Sequence, residues 1–558
     1  MAQKMTVARL VAQTLKAYGV SHVFFIDAIM RRVLPEIDLA GIQRVLGHSE
    51  KAVAYMADGF ARVSGRPGVC MAQSVGAANL ASGLQDAYLG HSPVIAITGR
   101  HVAQNQYRNA YQEVPHAPLY DSVTKFSGRI DAPEQVSHLI RAAFREATTG
   151  TPRPVHLDIA GFTGDALTSI EGDFAVAADE AHMRYPAFRP APDPAAVARA
   201  VAAVKASTRP VIVADRGVMV ADAGAALDAL AQHIGAVIVT TPDAKTAVLE
   251  DNPLLRGIVG QYGQSGANHV VAEADLVIYC GSTTSDHTTG GWKLPKQGTA
   301  VIQVDIDPLE IGRNYPGTVG ILSDVRAALE AIRAAAPATR RDAWLAQSKA
   351  HFDAWRAEAQ KHRSSDQVPL RPERICQELT EVLPKDAILF ADTGYAALLT
   401  GTLMHLRHPA QRYFRAAGSL GWSFPASLGG KCAAPDRPVV CFTGDGGFFY
   451  HLPELETARR RGIKTVTVVN NNNCLGQGLR NLTLAYKGYD EANKGECYEF
   501  NDTDFSKVAQ TFDCFGVVVE KPQDFRKAFE AAMAADRPAV IDVRSDPAAL
   551  VALPWMPT

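Results

Sequence analysis

The chain carries no excess of basic charge: 56 lysines and arginines face 58 acidic residues, for a formal net charge of −2. Nucleic-acid and membrane partners favour basic residues gathered in patches, so neither is expected. The one basic run, Arg459-Arg460-Arg461, is short and falls late in an expected helix, where cations suit the helix end. The eight cysteines (Cys70, Cys280, Cys376, Cys432, Cys441, Cys474, Cys497 and Cys514) include no CxxC pair and no His/Cys cluster. That spacing argues against a zinc site or a disulfide framework. Several lie in apolar runs such as LVIYC and VVCF, where cysteine behaves as a small hydrophobe. No apolar run reaches the length of a membrane span. The N-terminal MAQKMTVARLVAQTLKAYGV mixes polar and apolar residues at helical spacing and lacks the unbroken apolar core of a signal peptide. No short-period repeat is visible. The expectation is a cytoplasmic enzyme.

What is present is a long run of alternating elements. The 558 residues, 47% hydrophobic and 20% charged, suffice for three or four domains with full cores. Short β-branched runs (HVFFI, PVIAITG, PVHLDI, RPVIVA, DLVIYCG, AVIQVDID, AILFADTG, PVVCFTGDG, TVTVVNN, AVIDV) are separated by amphipathic stretches such as EKAVAYMADGFARVSG. Such alternation predicts α/β architecture with doubly wound parallel sheets, helices covering both faces. Two linkers divide it. MRYPAFRPAPDPA at 183–195 is proline-rich; the second runs from Ala336-Pro337 through a charged helix to Pro372. Three blocks result: 1–182, 190–338 and 368–558.

The third block holds the most informative stretch, CFTGDGGFFYHLPELETARRRGIKTVTVVNNNNCLGQG. A strand runs into Gly444-Asp445-Gly446-Gly447, a helix follows, and a second strand ends in Asn470–Asn473. Polar groups thus gather at the carboxyl ends of two strands, the edge where open α/β sheets bind ligands. Glycines admit backbone N–H groups close to phosphate oxygens. Asp445 and an asparagine amide offer the hard oxygens Mg²⁺ prefers. A tight turn followed by a loop-forming asparagine tract is the plainer alternative.

GDG followed by NN resembles the thiamine diphosphate enzymes, and the spacing of 27 residues (472 − 445) matches them. The resemblance implies that Asp445, Asn472 and the backbone carbonyl of Cys474 ligate Mg²⁺, a neighbouring asparagine of the run remaining an alternative ligand. It places Gly444, Gly446, Gly447, Leu475 and Gly476 against the cofactor. In the first block, HSEKAVAYMADGFARVSG (48–65) resembles the H-E-x-A-A-x-x-A-x-G-Y-A-R segment of the acetolactate synthase-like branch. Glu50 falls on the glutamate that hydrogen-bonds N1′ of the aminopyrimidine. Proton exchange there promotes the imino form that removes the C2 proton, and an apolar setting can raise a glutamate's pKa enough for the task. Read alone, Glu50 would be a helix N-terminal acid. Ser74–Asn79 parallels the family's S-G-P-G-A-x-N, with Val75 and Ala77 departing from it. Tyr111-Gln112-Glu113 matches F-Q-E near the substrate, making Gln112 a catalytic candidate, with Lys125 following.

Gly418-Ser419-Leu420-Gly421 stands where relatives carry G-T-M-G; Leu420 would prop the bent cofactor, unless it is a core leucine. Gly394, Tyr395 and Ala396 lie where G-Q-H touches the diphosphate. The three blocks would then be the pyrimidine-binding, central nucleotide-type and diphosphate-binding domains. In the central block the R-F-D-D-R segment of FAD-binding relatives is replaced by GSTTSDHTTGG. That argues against FAD and leaves Arg216, Asp305 and Asp307 as candidates for another adenine nucleotide or as structural residues. Glu50 and Asp445 lie 395 positions apart (445 − 50); the resemblance, not that spacing, implies a site in which Glu50 of one subunit meets the metal site of another, hence a homodimer or homotetramer.

The reaction is less constrained. Relatives carry F-G-x-P-G facing the thiazolium, where this chain reads Phe24-Phe25-Ile26-Asp27-Ala28. Asp27 there would repel an anionic substrate or shuttle a proton; otherwise it faces solvent or caps the next helix. Ile29 and Thr124–Arg129 look more like the 2-hydroxyacyl-CoA lyase and oxalyl-CoA decarboxylase branch. Two enzyme readings stand: an acetolactate synthase-like decarboxylase/carboligase on 2-oxo acids, and a thioester lyase. A third class, a non-catalytic cofactor-binding assembly subunit, is disfavoured because Glu50 and Asp445 are both present. The segment 479–503 and the tail ALPWMPT suit a lid or long surface loops.

Overall fold

The computed structural model describes residues 2–27, 31–161, 165–485, 494–549 and 551–558. Three six-stranded sheets follow one another along the chain, and their paired strands run parallel. Numbered along the chain within each sheet, the first (strands between His22 and Ala160) and the third (between Ile388 and Arg544) share the order 2-1-3-4-6-5. The middle sheet, between Pro210 and Leu322, runs 3-2-1-4-5-6, the dinucleotide-fold order. Val155–Ala160 is buried along its whole length. So is all of Val439–Gly444 but the last residue, because helices cover both faces. A short antiparallel pair, Gln3–Thr6 with Glu171–Phe174, closes the first domain.

The linkers have structure of their own. Asp193 caps the helix Pro194–Ala206 through Ala195 N, with proline in its first turn, where no N–H partner is needed. The charged stretch forms a single helix, Asp342–Arg363, bridging the middle and third domains. The triple arginine closes the helix Glu454–Arg461, which ends on Gly462 at φ 64°.

The first and third domains meet through two helices, Glu50–Ser64 and Ser423–Ala433. Glycines set their approach: a Cβ on Gly59 would lie 1.9 Å from Ala426 O, and one on Gly429 only 1.8 Å from Met56 O. Beside this crossing lies a buried charge network. Arg62 makes two bonds to Asp58 (2.8 and 2.6 Å) and one to Asp86 (3.1 Å). Trp422 Nε1 donates to Asp58 at 2.8 Å, and the guanidinium stacks over the indole at 4.5 Å. Gly59→Ala should gain up to about 1 kcal/mol of helix propensity but lose about 1–3 kcal/mol to overpacking. The expected outcome is a net loss of stability in urea unfolding; a more stable variant would show that the helices separate freely.

Candidate active site

The third domain brings its polar residues to the carboxyl edge of its sheet, beside the switch point between Ile388–Ala391 and Val439–Gly444. Asp445 opens the helix Asp445–Phe449 and is 2% exposed. Its Oδ1 accepts from Gly446 N (2.7 Å) and its Oδ2 from Asn472 N and Cys474 N (3.1 Å each). Burial pushes its carboxyl up to about 6, against the pull of these N–H groups. The outer end of the Asn472 amide lies 3.0 Å from Cys474 O and 3.3 Å from Asp445 Oδ2. With Oδ1 placed there, carboxylate, amide and carbonyl oxygens converge. Neighbouring oxygens in an octahedron of 2.0–2.1 Å bonds lie about 3 Å apart, so the set fits a small hard cation. Turned over, the amide would donate Nδ2 to both oxygens, the pairing expected without a cation. Asn471 is committed elsewhere, donating to Asp542 Oδ1 (2.9 Å) and Thr503 O (3.0 Å); Asn473 takes the left-handed turn at φ 57°.

The other predicted groups of this domain collect around the same edge. Gly394 (φ 66°) leads into the helix Tyr395–Leu403, and Ala396 is buried. A Cβ on Gly476 would meet the Tyr395 ring at 3.4 Å, and one on Gly446 would strike Leu475; one on Gly447 would lie 3.2 Å from Asp392 Oδ1. Gly444 has open space around it. The loop Gly418–Gly421 is clamped at both ends. Asp86, from the first domain, accepts from the N–H groups of Ala417, Gly418 and Ser419 at 2.9–3.1 Å. Asp392 accepts from Gly421 N (2.9 Å) and from Ser423 N and Oγ (3.0 and 2.6 Å). Leu420 is held between the two carboxylates, half-buried. Sequence reasoning missed Asp86 and Asp58. The only hint was an acid inside small-residue helical runs, and their partners in the third domain lie more than 300 positions away.

Glu50 begins the helix Glu50–Ser64 and is half-buried. Asn79 Nδ2 donates to it at 3.3 Å, and a Cβ on Gly76 would lie 2.4 Å from its Oε1. Among the described residues no hydrogen bond or ion pair links Glu50 to the Asp445 loop of the same chain. Gln112 lies in a turn at φ 62°; its carbonyl accepts from Ser74 Oγ, and its Oε1 is buried with no partner among the described residues. Ser74 thus connects the Gln112 turn to the segment beneath Glu50. The ring nitrogens of His116 reach Ser74 O (2.9 Å) and Asp158 Oδ1 (3.0 Å). Thr98 Oγ1 joins Asp158 (2.9 Å) to His156 (2.6 Å). His116, His156 and Asp158 lie close enough to hold a metal. Each is already engaged by a neighbour, though, so the cluster reads as a brace under the Ser74–Gln112 turn. Lys125 is structural, donating to Thr149 O and Thr151 O.

Burial pushes the His156 imidazole down to about 3, against the pull of Asp158. An unfolded histidine titrates near 6.5, so between those values the unfolded chain binds the extra proton and stability rises with pH. The contribution is complete above about pH 6.5 and fades toward pH 3, at up to about 1.4 kcal/mol per pH unit. His156→Gln is expected to narrow the difference in melting temperature between pH 7 and pH 5; an unchanged difference would mean that this imidazole is protonated in the fold.

Asp27 lies exposed just beyond the strand His22–Phe25; Ala28 and Ile29 lie outside the described residues. Part of the predicted lid does as well, but Leu475 N donates to Tyr498 O (2.8 Å) and Phe500 N to Asn473 O (2.7 Å). These bonds tie residues 498–500 to the metal-type loop. The tail differs from the lid reading: Trp555 stacks on His269 at 3.7 Å, and its carbonyl accepts from Asn268, docking the tail on the middle domain. At that domain's switch point is a cavity of about 520 Å³ lined by Arg153, Arg216, Asp305 and Arg415 among others. Burial pushes Asp305 up to about 7. Asp307 bonds instead to Thr151 Oγ1 and Leu309 N. Among the described residues no helix is long and apolar enough to cross a membrane.

Three parallel sheets, with a cation-ready oxygen set at the edge of the third, describe one enzyme class, and the comparisons agree domain by domain. The chain matches the N-terminal thiamine pyrophosphate-binding domain at residues 5–119, the central domain at 197–332 and the C-terminal binding domain at 392–543. It belongs to the thiamine pyrophosphate enzymes, in their acetolactate synthase-like group. It is 32% identical to a probable acetolactate synthase large subunit of Methanocaldococcus jannaschii, over 99% of this chain and 93% of that protein. The acetolactate synthase large subunit of Corynebacterium glutamicum is 30% identical (97% and 87% covered). A sulfoacetaldehyde acetyltransferase of Alcaligenes xylosoxydans xylosoxydans is 28% identical (97% and 93%).

Proposed function

We propose that this protein decarboxylates a 2-oxo acid and joins the remaining fragment to a second carbonyl compound, using thiamine diphosphate held through Mg²⁺ by Asp445, Asn472 and the Cys474 carbonyl. The observation that carries the reading is the convergence of those three oxygens at the sheet's carboxyl edge. The cofactor supplies a carbanion and an electron sink; the protein supplies position and proton control. Gly444 leaves open space beside the backbone, and Gly446 and Gly447 would turn their N–H groups to a diphosphate. Leu420, on the loop that Asp86 and Asp392 clamp, would pack against the cofactor. Glu50 would hold the proton exchanged at the aminopyrimidine, and Gln112 would present its amide toward the substrate side. By the family resemblance the site is completed by a second copy, in a homodimer or homotetramer; among the described residues Glu50 makes no bond to its own chain's Asp445 loop, which suits that reading. An adenine nucleotide is the reading for the central cavity, with Arg216, whose Nε is buried without a partner among the described residues, on its wall. All eight cysteines are free, which suits a reducing, cytoplasmic setting.

The test is turnover by the full chain with thiamine diphosphate and Mg²⁺. Pyruvate, alone or with a second 2-oxo acid or aldehyde, should release CO₂ and yield a 2-hydroxy-ketone product. Cleavage of a 2-hydroxyacyl-CoA with no turnover of any 2-oxo acid would falsify the assignment.

A further inference from the structure

The helix Gly76–Leu89 engages two different parts of the molecule along one face. Near its start Asn79 Nδ2 donates to Glu50 at 3.3 Å, and Gly76 lies against the same carboxyl group. Asp86 stands seven residues further on (86 − 79). Seven residues are close to two full turns, so both side chains share a face, about 10.5 Å apart along the axis. Between them Gly83 packs on the helix Glu50–Ser64, where a Cβ would come within 2.6 Å of the Ala54 Cβ. That helix runs alongside in the same direction: Glu50 opens it beside Asn79, and Arg62 lies late in it, beside Asp86.

Asp86 is fully buried, and most of what it holds lies in the third domain. Its Oδ1 accepts from Ala417 N at 3.0 Å, and its Oδ2 from Gly418 N at 3.1 Å and Ser419 N at 2.9 Å. Arg62 gives it one bond of 3.1 Å but is already paired with Asp58 through two shorter ones. Three successive N–H groups donating to one carboxylate fix the backbone directly before Leu420, and charge-assisted bonds of this kind are the strong ones. The far end of the loop is held by Asp392, from the loop's own domain. Asp86 is thus the clamp that another domain supplies. All of these bonds form within one chain, whereas among the described residues Glu50 makes none to its own Asp445 loop.

We propose that each first domain serves two active sites. Glu50 goes to the partner's metal site, and Asp86 acts on its own chain's site as a positioning residue, holding the loop that presents Leu420 to the cofactor. The proposal rests on the thiamine diphosphate reading above and on its shared site. Asp86 itself touches neither cofactor nor substrate; it acts through the backbone of Ala417, Gly418 and Ser419. Misplacing a positioned group by about 1 Å can cost about 10²-fold in rate.

The first measurement is deuterium exchange at C2 of thiamine diphosphate bound to the full chain, with cofactor and Mg²⁺ saturating. Asp86→Asn keeps the shape, turns an NH₂ toward N–H donors and leaves Arg62 its Asp58 partner. Exchange and kcat are expected to fall about 10–100-fold, with KM for the 2-oxo acid within a few-fold of native. Asp86→Ser, smaller and still an acceptor, takes its place if the amide variant does not fold. Asp58→Asn disturbs the same charge network without touching the loop's N–H groups. It should lower the melting temperature and leave exchange within a few-fold of native. In a Leu420→Ala background Asp86→Asn should add little, because the group it positions is gone. Native exchange in the Asp86 variants, equal losses in the Asp58 variant, or full additivity with Leu420→Ala would each overturn the positioning role. A native protein that binds no cofactor would overturn the underlying reading instead.

The division between sites is tested in hybrids. Glu50→Gln and Asp445→Asn chains, co-expressed with different tags and purified over both, hold one working site per dimer. Asp86→Asn on the chain that keeps Asp445 should lower the hybrid's rate by the factor seen when both chains carry it. On the chain that keeps Glu50 it should leave the rate within about threefold, as expected of distant, independent sites. The opposite pattern, or equal effects from both chains, would overturn the division, and so would a hybrid with no activity before Asp86 is changed.

Discussion

Asp445→Asn is expected to lower the affinity for Mg²⁺ and thiamine diphosphate together by at least about 100-fold, since even partners outside a metal's own ligands typically contribute 10–100-fold. Asp445 brings the only formal charge to the converging oxygens, and Mg²⁺ gives up water reluctantly unless a carboxylate replaces it. Stability without the cofactor should move the other way or stay level. The carboxylate is 2% exposed and has no ion pair among the described residues; a neutral amide removes a buried charge, offset in part because its Nδ2 cannot accept from the backbone N–H groups that the carboxylate satisfies on both oxygens. Two measurements separate the effects: calorimetric titration with cofactor and Mg²⁺, and the melting temperature of the apo protein. An Asn variant that binds both ligands normally would remove Asp445 from the metal site.

Glu50→Gln should leave cofactor affinity within a few-fold of normal and reduce kcat by about 10²–10⁴, the usual worth of a positioned acid–base group. The rate of deuterium exchange at C2 of the bound cofactor should fall in step. The same variant tests whether the site is shared. Mixed with Asp445→Asn protein and allowed to exchange subunits, it should recover about a quarter of native activity. Half of a random population would be heterodimers, each with one site that combines an intact Glu50 with an intact Asp445. If each site is built within one chain, the mixture stays inactive. Normal kcat in Glu50→Gln alone would end the proton-exchange role.

The comparisons favour the decarboxylase/carboligase reading over the thioester lyase that Ile29 and Thr124–Arg129 suggested. A short local likeness carries less weight than a match running through three domains. The altered turn still distinguishes this chain. Exposed Asp27 stands at the carboxyl end of the first strand, where the family's glycine-rich turn would be.

The sequence alone was enough to identify the parallel α/β architecture, because strands buried on both faces must be written as continuous apolar runs. It was also enough to identify the cofactor, because the GDG turn, the asparagine tract and the segment around Glu50 resemble local motifs of the thiamine diphosphate enzymes, which stay readable without the fold. Which asparagine faces Asp445 was settled only by geometry: Asn471 turns to Asp542, and Asn472 is one step further along an alternating strand. Asp86 and Asp58 were invisible because their partners, the Gly418 loop and Trp422, belong to another domain; a carboxylate's role there depends on long-range packing that leaves no local pattern. The tail read as part of a lid or as a long surface loop, and Trp555 stacks on His269, an aromatic contact that composition cannot place.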